Sequence, residues 1–153
     1  MKDDVPDQTP LPAARQNWMR VLARAGKALQ RHEPLLRGQA HRYVRPAQTG
    51  MIMVRARAGG NGAPFNLGEM TVTRCVVQLD DGTTGYSYVA GRVKAHAELA
   101  ALADACLQGP DANYWMRTVI RPLQALQNDE QAKHARDTVS TRVDFSTLVR
   151  GEA

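Results

Sequence analysis

Cysteine is nearly absent from this sequence. Cys75 and Cys106 are the only two in 153 residues, too few for a disulfide framework, a four-ligand zinc site or the cysteine triad of an iron–sulfur centre. Aromatic side chains are scarce as well. Two Trp, four Tyr and two Phe make up 5% of the chain, and no RNP-like pattern groups them, so RNA recognition by base stacking finds no support. No apolar run approaches the ~20 residues that a membrane-spanning helix needs. The opening string MKDDVPDQTPLP lacks the apolar segment of a secretory signal, which makes the cytoplasm the expected compartment. Lysine is rare: sixteen of the twenty basic residues are Arg.

The residues that are present suffice for one domain. The chain is 43% hydrophobic and 23% charged, and a chain of this length buries roughly 68–70% of its unfolded surface. Residues 1–14 read as a polar, flexible leader, and residues 15–153 as the single domain. The net charge of +5 is unevenly placed. Residues 1–57 hold eleven Lys or Arg against four acids, whereas residues 58–153 hold nine against eleven. A planar guanidinium fork suits carboxylates and phosphates, so the first part of the chain fits anionic ligands or protein interfaces. An Arg-over-Lys bias is also what a GC-rich genome produces.

Periodicity divides the chain into helical, extended and again helical stretches. Trp18, Val21, Leu22, Ala25 and Leu29 form one apolar helical stripe, weakened by Gly26. A second short helix is expected over residues 34–40. Short strands are expected at residues 43–45, ending at Pro46, and at residues 51–58, with Thr49-Gly50 as a turn between them. The latter strand has an apolar face (Ile52, Val54, Ala56, Ala58), and Arg55 and Arg57 lie opposite. Gly59, Gly60 and Gly62 read as a flexible loop within residues 59–68. A hairpin of residues 69–79 and 84–90 follows, with Asp81-Gly82 at the centre of a type I′ turn. That register pairs Leu79 with Thr84, Val77 with Tyr86 and Cys75 with Tyr88, and makes their shared face the core. Cys75 is then a buried small hydrophobe and not a nucleophile. Ala95, Leu99, Leu102, Ala103 and Cys106 stripe a helix that stops near Gly109-Pro110. Asp111 is a candidate cap for a last helix carrying Trp115, Val119, Leu123 and Leu126, which Pro122 should kink or divide. Residues 127–138 are polar throughout, and the tail regains Val143, Phe145, Leu148 and Val149. This order argues an α+β fold, a small antiparallel β-meander flanked by N-terminal and C-terminal helices.

Chemistry-bearing patterns are sparse. His96-Ala97-Glu98 at a helix start is reminiscent of zinc deaminases, but that site also needs a Pro-Cys-x-x-Cys pair, and only Cys106 follows. No metal site is expected. Arg92, Lys94 and His96 crowd the same helix start, where the helix dipole disfavours cations. An anion held among them would explain the cluster. The glycine loop lacks the Gly-Lys-Ser/Thr and the following helix of a phosphate cradle. His32, His41 and His134 stand alone, and no Gly-x-Ser-x-Gly or carboxylate cluster is present. The basic first helix is not followed by a reading helix after a tight turn, so nucleic acid is not an expected partner.

Longer strings carry a resemblance. Residues 45–58 (RPAQTGMIMVRARA), the loop Gly59 to Phe65, residues 67–74 (LGEMTVTR) and residues 81–92 (DGTTGYSYVAGR) resemble the family of the carbon–phosphorus lyase G subunit, PhnG. So do Lys94, His96-Ala97-Glu98, the ending TRVDFSTLVRG at 141–151 and the N-terminal string RQNWM at 15–19. The likeness is collinear from about residue 15 to 151 and weakest over residues 108–138. It implies an accessory subunit in organic phosphonate catabolism. With the H, I and L subunits it would join a phosphonate to the ribose of ATP and release adenine, giving a ribose 1-phosphonate 5-triphosphate. The J subunit would later break the carbon–phosphorus bond. The expected partners are thus the H, I and J subunits of a hetero-oligomeric core complex, with L in the synthase step. ATP is a co-substrate of the complex, and no cofactor is expected on this chain. Within that reading Arg55, Arg57, Arg92, Lys94 and His96 are the candidate anion contacts, with Glu98 orienting His96. The alternative is a self-sufficient nucleotide- or phosphonate-binding protein.

Overall fold

The computed structural model describes residues 12–140. Most of the polar leader and the tail strings from Thr141 onward lie outside the described residues. Helix α1 (Ala13–Arg24) is followed by a 3-10 turn (Gly26–His32) and α2 (Glu33–Arg37). Three strands come next, β1 (His41–Arg57), β2 (Pro64–Leu79) and β3 (Thr84–Ala90), and form one antiparallel sheet in that order. Helix α3 (Lys94–Leu107), the single turn α4 (Ala112–Trp115), a π-helical turn (Met116–Ile120) and α5 (Arg121–Ser140) complete the chain. This is the expected α+β meander with helices before and after it.

Helix α3 is the centre of the core. Eleven of its fourteen residues are buried, including Leu99, Leu102 and Leu107. The expected single stripe is therefore too narrow. Only its first member, Ala95, is exposed, and the inner face of the sheet and the preceding helices enclose the remainder. Thr73, Cys75 and Val77 of β2 and Ser87 and Val89 of β3 turn inward, and all five are buried. Between them β3 comes so close to α3 that a Cβ on Gly85 would sit 2.1 Å from the Ala101 carbonyl oxygen. Only glycine fits this position.

The hairpin register differs from the expected one by one residue. Val76 faces Tyr86, Cys75 faces Ser87 and Gln78 faces Thr84. The turn is not the two-residue type I′. The Gly82 N–H donates to the Leu79 carbonyl, the Leu79 N–H donates to the Thr83 carbonyl, and Gly82 has φ of 90°. That is a three-residue loop ending in a left-handed glycine bulge. One extra loop residue turns all of β3 over. Tyr86 and Tyr88, expected in the core, are therefore half exposed on the outer face, while Ser87 and Val89 are buried. Cys75 stays buried, as expected.

Strand β1 is also longer than its sequence implies. It continues through Pro46 and Gly50, pairing Thr49 with Thr73 and Gly50 with Val72. Pro46 is tolerated because β1 is an edge strand and the ladder is irregular between Arg45 and Gln48. β2 likewise begins at Pro64, inside the expected loop, so the glycines form only the tip of a long hairpin. At the other end of the chain, Pro122 divides the last helical stretch as expected. It has no N–H for the carbonyl four residues earlier, and the backbone widens into the π-helical turn just before it. Asp111 precedes α4 without capping it through its side chain.

One fully buried carboxylate joins these parts. Asp104 of α3 accepts bonds from Arg15 Nε (3.2 Å) and Nη2 (2.7 Å), from Trp18 Nε1 (2.8 Å) and from the Tyr86 backbone N–H (2.9 Å). Gln108 Nε2 lies 3.3 Å from Oδ2. Helices α1 and α3 and the edge strand β3 thus meet at one charge. Removing one side of such a pair leaves a buried, uncompensated group. Asp104→Asn should lower unfolding stability by about 3–5 kcal/mol in urea titrations.

Candidate functional site

Thr73 builds a surface on which unpaired positive charges gather. Its side chain is buried in β2, its Oγ1 donates to the Gly91 carbonyl at 2.6 Å, and it accepts from the Val93 N–H at 3.1 Å. These bonds fix the turn between β3 and α3. Arg92 and Lys94 on that turn then stand beside Arg74 of β2 and Gln48 and Thr49 of β1, around an open groove of about 870 Å³. Among the described residues, none of Arg74, Arg92 and Lys94 has a hydrogen-bond or ion-pair partner. Three free cations around one concavity attract an anion more strongly than any one of them. Of the candidate residues chosen from sequence, the groove brings together Arg92 and Lys94. Arg74 was not singled out as a candidate. Its place beside them follows from the pairing of β2 with β3 and the Thr73 bonds to the turn, and the pairing of Gln48 with Arg74 brings β1 to the same groove.

The other candidates lie elsewhere. Arg55 and Arg57 face Asn66 and Pro64 near the tip of the β1–β2 hairpin. Eight residues of strand separate Arg57 from Thr49, about 26 Å at 3.3 Å per residue. Arg57 Nη1 donates to the Gly62 carbonyl at 3.3 Å, which ties it to the tip glycines.

His96 is turned into the core. It is buried, and its Nε2 lies 2.8 Å from the Leu22 carbonyl oxygen. The last carbonyls of a helix have no partner within it. His96 satisfies one for α1, and Gln127 Nε2 satisfies the next at Val21, also at 2.8 Å. The expectation of His96 as an anion contact is thereby corrected to a tie between two helices. Glu98 does not orient it. Residues two apart on a helix do not face each other, and Glu98 Oε2 instead accepts from Arg37 Nη2 at 3.2 Å, the same guanidinium that Glu33 holds at 2.6 Å. His96→Ala would remove this bond and leave the Leu22 carbonyl with the Ala25 N–H as its donor. It should cost about 0.5–1.5 kcal/mol of stability in chemical denaturation for the lost hydrogen bond while leaving anion affinity unchanged.

Neither thiol is poised for chemistry. Burial pushes Cys75 up to about 11, with Glu98 adding to the shift. Burial likewise pushes Cys106 up to about 12, with Asp81 adding to it. The thiolate is the reactive form. At pH 8 iodoacetamide should therefore leave both cysteines unmodified in the native chain and alkylate both after unfolding in guanidinium, as read by intact mass. Among the described residues no group of three or more His, Cys, Asp or Glu is arranged to hold a metal ion. No described helix is long and apolar enough to cross a membrane.

Comparison with known proteins supplies the context for this geometry. The family model described as phosphonate metabolism protein PhnG matches residues 13–151. The chain is also 39% identical over 142 residues to alpha-D-ribose 1-methylphosphonate 5-triphosphate synthase subunit PhnG of Rhizobium meliloti (strain 1021), which covers 92% of this chain and 91% of that protein.

Proposed function

The chain belongs to the PhnG family of phosphonate metabolism proteins, and we propose that it is a non-autonomous subunit of the machinery that joins a phosphonate to the ribose of ATP with release of adenine. Its expected companions are the H, I and J subunits, with L in the synthase step, in the cytoplasm. ATP is a co-substrate of the assembly. The observation that carries this reading is the groove of Arg74, Arg92 and Lys94, three cations without a counter-charge among the described residues, in a family named for phosphonate metabolism. Both the phosphonate and the triphosphate chain are polyanions. A surface of fixed positive potential lowers the cost of gathering them in one place. In this reading the chain contributes position and charge to the assembly. The bond-making groups come from the neighbouring subunits.

Co-expression of the tagged chain with the H, I and J subunits should yield a stoichiometric complex. In that complex, with L present, Arg92→Ala combined with Lys94→Ala should raise the apparent Kd for ATP or methylphosphonate about tenfold or more, since each lost charged hydrogen bond is worth ~1.5–3 kcal/mol. Release of adenine by the purified chain on its own would overturn the reading in favour of a self-sufficient enzyme. Tight binding of ATP by the isolated chain in calorimetry would favour the autonomous nucleotide-binding alternative.

A further inference from the structure

The distal part of the β1–β2 hairpin, residues 50–71, stands apart from the core. Met51 and Leu67 are each 64% exposed, Met53 is 50% and Phe65 is 44% exposed. Strand alternation places Ile52, Val54 and Ala56 on one face with Met70 and Phe65 beside them, and Met51 and Met53 on the other. One face of the ribbon is therefore apolar, and the other sets Met51 and Met53 beside Arg55, Arg57 and Glu69. A two-stranded ribbon of this kind is marginal in water unless something covers it. It also breaks the usual protections of a free sheet edge, being long and carrying methionine on both faces. The opposite edge of the sheet, by contrast, is flanked by α1, whose Met19, Leu22 and Ala23 line a small cavity of about 240 Å³ together with Ser87 and Val89.

We propose that this ribbon is a docking arm that inserts into an apolar cleft, rimmed by carboxylates, on a different protein subunit. The proposal rests on the reading of the chain as one member of a hetero-oligomer. An apolar face on one side, with Met51 and Met53 on the other, calls for a cleft that grips the ribbon from two sides, not a flat surface that would leave those methionines wet. Methionine adapts its shape to an irregular wall at little cost. The rim charge follows from complementarity. Within the ribbon the charged side chains are Arg55 and Arg57 near its tip, against the single acid Glu69. Among the described residues Arg55 has no partner, and Arg57 reaches only a backbone carbonyl. Two copies of this ribbon would oppose like charges, which disfavours pairing with itself. A lipid surface is disfavoured too, because the open strand edges would lie unsatisfied in hydrocarbon. The ribbon's 22 residues match the roughly 20–30 per side of a standard protein interface.

The test uses the full chain co-expressed with the H, I and J subunits. Met53→Glu with Leu67→Glu places charge on exposed positions, so thermal unfolding of the isolated variant should match the wild type. Capture of the other subunits should fall at least tenfold, and Arg55→Glu with Arg57→Glu should also weaken it. Leu126→Glu, an exposed site on α5, should leave capture unchanged. Full capture by the Met53/Leu67 variant overturns the docking arm while the subunit reading stands. Failure of the wild type to capture any of them overturns the subunit reading, and the arm with it. A photo-cross-linker at Met51 should mark another subunit. Cross-links only to a second copy of this chain overturn the proposal in favour of self-association. Binding of the free chain to vesicles of phosphatidylserine and phosphatidylcholine that the same substitutions abolish overturns it in favour of a membrane surface.

Discussion

A single carboxylate decides the shape of the body. Asp104 sits at zero exposure on the central helix, where an ionised group is tolerated only if its lone pairs are filled. Arg15 and Trp18 of α1 and the Tyr86 N–H of β3 fill them. That arrangement has three consequences. It fixes α1 against α3. It satisfies a backbone N–H of an edge strand that β2 does not reach. It also brings the Arg15 guanidinium to 5.6 Å from the centre of the Tyr86 ring, so the tyrosine that the hairpin register turned outward still rests on a charge from the interior network. His96 and Gln127 then hold the far end of α1 by its last carbonyls. The body is closed on the β3 side by polar bonds aimed at one helix, and its hydrophobic packing follows from that placement.

The sequence shows the elements better than their faces. Helical periodicity locates α1 and α3, and the helix break at Pro122 follows from its missing N–H alone. The hairpin at Asp81-Gly82 is legible as a hairpin, because only a few residue pairs turn a chain so tightly. The register is not legible, since Gly82 serves a type I′ turn and a three-residue loop with a glycine bulge equally well. The choice is made by Gly85. A register that put Gly85 on the outer face would bring a larger side chain to the point where β3 touches α3, and there is no room there. That constraint is tertiary and comes from Ala101 and Ala105, sixteen residues or more along the chain from Gly85. The length of β1 was hidden for a related reason. Proline and glycine read as punctuation, yet an edge strand with irregular pairing absorbs both.

His96-Ala97-Glu98 shows how a local pattern misleads about chemistry. A helix with one wet side would offer at least one of these side chains to a ligand. Helix α3 is enclosed nearly all round, so the same histidine becomes a bond to a helix end and the same glutamate becomes a tether for Arg37. The groove residue that sequence reading passed over, Arg74, was hidden in the opposite way. It lies on a strand of mixed polarity, and its neighbour Thr73, bonded to the turn after β3, is what brings it beside Arg92 and Lys94.

The abundance of arginine resolves into two populations once partners are assigned. Arg15 is consumed by Asp104, and Arg37 by Glu33 and Glu98. Those guanidiniums are struts, Arg15 against the interior and Arg37 at the surface, and their charge is largely neutralised where it stands. Arg74, Arg92, Lys94 and Arg55 keep theirs among the described residues, and the last of these lies near the tip of the exposed ribbon. Net charge cannot distinguish the two sets, because a strut and a free cation count the same. The available positive field is therefore smaller than the composition implies, and part of it gathers at one groove beside the α3 turn and near the tip of one apolar arm. A polyanion and an acidic protein surface would each meet the chain at a different place, some 26 Å apart by the ~3.3 Å rise of the connecting strand. Ligand contact and assembly can then be carried by separate parts of one small domain, joined by the continuous β1–β2 ladder.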